Sequence, residues 1–129
     1  MSGIFTDLNW LAVGVSAVLS FMLGALWYSP KMFGAKWAEG VGIDMEGEMK
    51  PPAIAMVTQM LGTTLLSWVI GVAAVTHALA IAILTVIMLI VMIASNGMWA
   101  GKSNTAISIE CAYIAAISTI MIVAQGVLR

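Results

Sequence analysis

The chain has 129 residues, 62% of them hydrophobic and only 9% charged, with a formal net charge of −1. A soluble domain carries about 25% charged residues, so water alone could not hydrate this surface. The charge balance argues equally against nucleic acid as a partner, because that binding needs clustered Lys and Arg to displace counterions. The single cysteine, Cys111, lies in an apolar run, which rules out an internal disulfide and leaves the redox compartment open.

Backbone in hydrocarbon must satisfy its own hydrogen bonds, so this composition predicts an all-α integral membrane protein dissolved in a lipid bilayer. A span needs about 20 mostly apolar residues. Four segments qualify, giving one membrane domain over residues 1–129. The first is expected at about 8–28, stopped by Pro30. Its lead, Met1 to Asn9, has no basic region, and Leu26-Trp27-Tyr28-Ser29-Pro30 is not a small-x-small cleavage site. It therefore reads as a retained helix and not a removed signal peptide.

A polar link follows, holding Lys31, Lys36, Glu39, Asp44, Glu46, Glu48 and Lys50. At helical spacing Phe33, Trp37 and Val41 share one arc, with Lys31, Lys36 and Glu39 on the other side. That pattern predicts a short amphipathic segment over about 31–42, lying in the membrane interface. Gly34, Gly40 and Gly42 weaken it as an independent helix, so it needs the bundle or a partner beneath it. The acidic stretch Asp44 to Glu48 reads as a solvated tip.

Pro51-Pro52 suits the first turn of a second helix, where a missing N–H costs nothing. That helix is expected at about 52–75, the third at about 78–99 after a turn at Thr76-His77, and the fourth at about 105–128 after Gly101-Lys102-Ser103-Asn104. Short links force antiparallel neighbours, so the fold expected is an up-down four-transmembrane-helix bundle. Loops one and three hold Lys31, Lys36, Lys50 and Lys102, against Arg129 alone on the opposite side. Positive-inside logic puts those loops in the cytoplasm and both termini outside. Trp27, Tyr28, Phe33, Trp37 and Trp99 are then expected as interfacial anchors on the cytoplasmic side, with Trp10 near the outer boundary.

Small residues mark two ridges. Ser16, Ser20 and Gly24 recur every fourth residue on the first helix, as do Gln59, Thr63, Ser67 and Gly71 on the second. Such spacing lets backbones approach closely, which makes the ridges packing seams or, on a sharper reading, a self-association face. The third helix carries Thr85, Met88, Met92, Asn96 and Trp99 in a stripe. Adaptable packing explains it, since no His or Cys joins it to make a metal path.

Placed by depth, the polar residues gather in the half of the bilayer that holds loops one and three. Gln59 lies about 12 Å into the second helix. Ser95 and Asn96 lie one turn before the end of the third, Glu110 and Tyr113 share a face of the fourth, and Tyr28 and Ser29 end the first. The candidate cluster is Glu110, Tyr113, Asn96, Gln59 and Tyr28, with Lys102 at its edge. The outer half offers Asn9, His77 and Gln125, each close to an end. An intramembrane carboxylate is costly, so Glu110 needs a partner (Lys102, Asn96, Gln59 or Tyr28) or protonation through desolvation. It reads as a clasp fixing helix register, or as a proton or cation site in a permeation path. Catalysis would need a second positioned group, and none is evident. His77 reads as a solvated turn residue, because a pigment ligand would more naturally sit inside a span. Cys111 reads as a small apolar residue.

Three blocks carry a resemblance: Asn9-Trp10-Leu11-Ala12-Val13, Gly24-Ala25-Leu26-Trp27-Tyr28-Ser29-Pro30, and Phe33-Gly34-x-x-Trp37. Together they resemble the small bacterial membrane proteins grouped as domain of unknown function family 1761. In the second half, Gly101-Lys102 leading to Ala112-Tyr113 is similar to the family's Gly-Lys/Arg turn and later Gly-Tyr. Cys111-Ala112-Tyr113 stands where members often carry Ala-Gly-Tyr, and Glu110 where Asn or a small residue is expected. The resemblance implies a four-helix protein of the bacterial inner membrane and no assigned activity.

No catalytic signature, cofactor box or nucleotide loop is present in the chain. The expectation is a non-enzymatic accessory or structural subunit without cofactor or metal, packing against other membrane proteins or itself. The alternative is a minimal transporter or channel working through Glu110 as an oligomer.

Overall fold

The computed structural model describes residues 8–29, 32–42 and 53–128. Pro30, Lys31, the acidic stretch Asp44 to Glu48, Lys50, Pro51-Pro52 and Arg129 lie outside the described residues, and so do the expectations placed on them. The described residues form helices α1 (Trp10–Trp27), α2 (Gly34–Val41), α3 (Ala53–Val75), α4 (Leu79–Trp99) and α5 (Asn104–Val127). Four of these, α1, α3, α4 and α5, are long and apolar enough to cross a membrane.

Local chemistry explains where the spans begin and end. Asn9 accepts the Ala12 N–H at 3.1 Å and Ser103 accepts that of Ala106 at 3.1 Å, each satisfying an orphan donor at a helix start. The α4 helix closes on Gly101, whose φ of 77° is left-handed. Lys102 N–H then reaches the Gly97 carbonyl at 2.9 Å and Gly101 N–H that of Met98 at 3.2 Å, the paired closure that satisfies the last carbonyls. The α3 helix closes in the same way, through His77 at φ 55° and a 2.8 Å bond from Ala78 N–H to Ala73. That economy keeps the α3–α4 turn short enough to make the two helices antiparallel neighbours.

The middle of the bundle belongs to α3 and α5, since α1 packs on both and α4 packs on both. Leu66, Ile70, Ala73, Ala82, Tyr113, Ile117 and Met121 form the core between them. Hydrogen bonds tie both ends. Asn9 Nδ2 donates to the Leu128 carbonyl at 3.0 Å, joining the start of α1 to the end of α5. At the opposite end Ser103 N–H donates to the Gly40 carbonyl at 2.9 Å, joining the α4–α5 turn to α2.

Both ridges of small residues face inwards, apart from Gln59 at the start of the second, which is exposed. Ser16 and Ser67 hydroxyls lie 2.8 Å apart, and Ser67 also donates to the Val13 carbonyl at 2.8 Å, so the α1–α3 seam is where the ridges meet. Ser20, Thr63 and Gly71 are buried too. Gly24 turns away from that seam. A side chain there would stand 2.6 Å from the Tyr113 hydroxyl, so the glycine is the slot that admits this ring from α5. These ridges are consumed within the chain, which corrects the reading that either could be a self-association face.

Candidate functional site

The polar cluster is assembled at the end of the bundle that carries α2. Glu110 lies about 9 Å into α5 from its first residue, and its side chain is only 15% exposed. Both carboxylate oxygens are occupied. Lys102 Nζ donates to Oε2 at 2.8 Å and to Oε1 at 3.1 Å, while Trp37 Nε1 donates to Oε2 at 2.7 Å. One carboxylate therefore joins α2, the α4–α5 turn and α5.

An aromatic layer lies against it. Tyr28 meets Trp37 edge-on at 5.4 Å and Tyr113 edge-on at 5.5 Å, and Trp27 packs on Phe33 at 4.8 Å. Trp27 Nε1 donates to the Ile109 carbonyl at 3.1 Å. Tyr113 donates to the Ser20 carbonyl at 2.9 Å, crossing from α5 to α1. Tyr28 caps α1 outside the span. Its phenol is pushed upwards first by burial and next by the neighbouring Glu110 charge, so it stays protonated.

Of the residues expected in the cluster, the structure brings together Glu110, Lys102, Tyr28 and Tyr113. Asn96 does not join them: it is exposed on the outward face of α4, between Met92 and Trp99. Gln59 is exposed on α3, donating to Thr63 at 3.4 Å, with its side chain close enough to the Tyr113 hydroxyl to interact with it. The interfacial anchors divide as well. Trp99 is 90% exposed, as an anchor in lipid would be. Trp27, Tyr28, Phe33 and Trp37 are half-buried, packing on one another and on α5 at the end of the α1 span. The cause is close approach. A side chain at Gly34 would collide with the Tyr28 carbonyl, and one at Gly40 with Ser103 and Ala106. The glycines that weaken α2 as a free helix are what seat it on the bundle.

Trp37 is the partner of Glu110 that sequence reasoning missed. The two lie 73 positions apart, and the available signal was the Phe-Gly-x-x-Trp block, whose Gly34 and Trp37 both make bundle contacts. Deeper in the bundle, Ser20 Oγ, Ser118 Oγ and Gln125 Nε2 are buried with no hydrogen-bond partner among the described residues. No three His, Cys, Asp or Glu side chains come together among the described residues. The chemistry of the cluster is hydrogen bonding and ion pairing.

Fold and cluster together define a small all-helical, multi-pass membrane protein whose intramembrane carboxylate is tied to its own loop. A family model matches residues 11–126, and the chain belongs to that family, described as protein of unknown function (DUF1761). No curated protein and no solved structure matches the chain.

Proposed function

We propose that this is a non-enzymatic accessory subunit of the bacterial inner membrane that packs through α4 against a second copy or another membrane protein. One observation carries the reading. The stripe Met88, Met92, Asn96 and Trp99 lies exposed along α4, and the Asn96 amide has no hydrogen-bond partner among the described residues. An amide on a membrane helix serves as interhelical glue, and methionines adapt to varied partner surfaces. Only Ala82 and Gly97 of α4 are buried within the chain.

The test is gentle solubilisation followed by native mass spectrometry. The expected result is a species heavier than one chain, shifted towards monomer in Asn96→Leu. A bare monomer under several mild detergents contradicts the proposal.

A second reading, a proton or cation path through Glu110 in an oligomer, draws on the unpartnered Ser20 and Ser118 hydroxyls within the bundle. Weighing against it, both Glu110 oxygens are already engaged. Liposome flux that collapses in Glu110→Gln, with folding retained, would favour this second reading; absent or unchanged flux removes it.

A further inference from the structure

A groove of about 440 Å³ opens beside the polar cluster, between the end of α1, α2 and the first turns of α5. Its floor includes Trp27, Phe33 and Ile109, and its rim includes Lys36, Thr105 and Ser108. The floor is firm, because the Trp27 indole is bonded to the Ile109 carbonyl and packs at a tilt against Phe33.

The rim differs from the rest of the helical surface. Exposed hydroxyls elsewhere in the spans return their proton to their own helix: Thr58, Thr64 and Thr119 each donate to the carbonyl four residues back. Thr105 and Ser108 are exposed and make no side-chain hydrogen bond to any described residue. Lys36 is exposed and makes no ion pair among the described residues, whereas Lys102 is taken by Glu110. Among the described residues, no carboxylate lines the groove.

The groove also straddles a boundary. Trp27 is the last residue of one candidate span and Thr105 lies one residue into another. A ligand must therefore carry an anionic, hydrogen-bond-accepting head at the rim and a hydrocarbon tail along the floor. The described lining offers one cation, Lys36, and no anion to receive the cationic group of a zwitterionic lipid, Glu39 lying one turn further along α2 outside the lining.

We propose that this groove binds an anionic phospholipid, with its phosphate at Lys36, Thr105 and Ser108 and one acyl chain along Trp27, Phe33 and Ile109. The inference rests on the chain crossing a bilayer and not on what the chain packs against.

Native mass spectrometry of the full chain, titrated with phosphatidylglycerol or phosphatidylcholine in mild detergent, tests it. Lipid adducts are read on whichever oligomer is present, so a failure to self-associate is scored separately. The parent should retain phosphatidylglycerol in preference. Lys36→Gln, at an exposed position, should lower that preference about fivefold, and Thr105→Val with Ser108→Ala should lower it in the same direction. Equal retention of the two lipids, retention of neither, or an unchanged preference in both variants overturns the proposal.

Discussion

Glu110 shows how a single carboxylate can be kept at membrane depth. An ionised group at a helix centre costs roughly 2.5–3.5 kcal/mol, less towards the interface. A hydrogen bond to a charged group returns about 1.5–3 kcal/mol. Contacts from Lys102 and Trp37 therefore roughly offset the cost of burial, and the gain is helix register more than net stability. Breaking a fully buried pair costs about 3–5 kcal/mol. Lys102 keeps 29% exposure and can rehydrate, so Glu110→Leu should cost about 2 kcal/mol, measured by denaturant titration in mixed micelles. Adding Lys102→Met to Glu110→Leu should recover part of that loss, because no uncompensated cation then remains. A double variant less stable than both singles would contradict the clasp. Gly24 and Tyr113 give a second test. Gly24→Ala should destabilise by about 1–3 kcal/mol through overpacking, and by less in a Tyr113→Phe background, where the clashing hydroxyl is gone. Sequence reasoning could name Glu110 and include Lys102 among its partners, since the two lie eight positions apart across one turn. It could not name Trp37, because nothing local fixes how α2 lies on α5.

At the scale of elements, the four spans were legible from their apolar length, and their exact ends are set by caps. Asn9, Ser103 and Gly101 mark ends that follow from side-chain oxygens and from backbone that only glycine adopts freely. The α3–α4 turn is less regular, because His77 occupies a left-handed position where glycine is usual. A left-handed L-residue costs roughly 1–2 kcal/mol, so His77→Gly should raise stability by about 1 kcal/mol, after the extra chain entropy of glycine is deducted. A loss of stability would show that the imidazole makes a compensating contact. The amphipathic pattern of α2 correctly gathered Phe33 and Trp37 on one arc, but periodicity cannot say whether that arc meets lipid or protein. Gly34 and Gly40 decide it, through distances that exist only once the chain has folded. The same holds for the ridges on α1 and α3, whose spacing announces a seam without naming the helix on the other side.

For the whole molecule, the bonds Asn9 to Leu128 and Ser103 to Gly40 set the start of α1 and the end of α5 at one end of the bundle and α2 with the α4–α5 turn at the other. This arrangement follows from four antiparallel spans, and it places the Glu110 cluster and the lipid groove in one leaflet while His77 faces the other. Impermeant-maleimide labelling of sealed, uniformly oriented vesicles tests it most directly, on a Cys111→Ser background carrying either Lys36→Cys or His77→Cys. Both positions are exposed at helix ends, so each should react from one side only, and the two from opposite sides. Labelling of both from the same side would contradict the four-span bundle and everything placed within it.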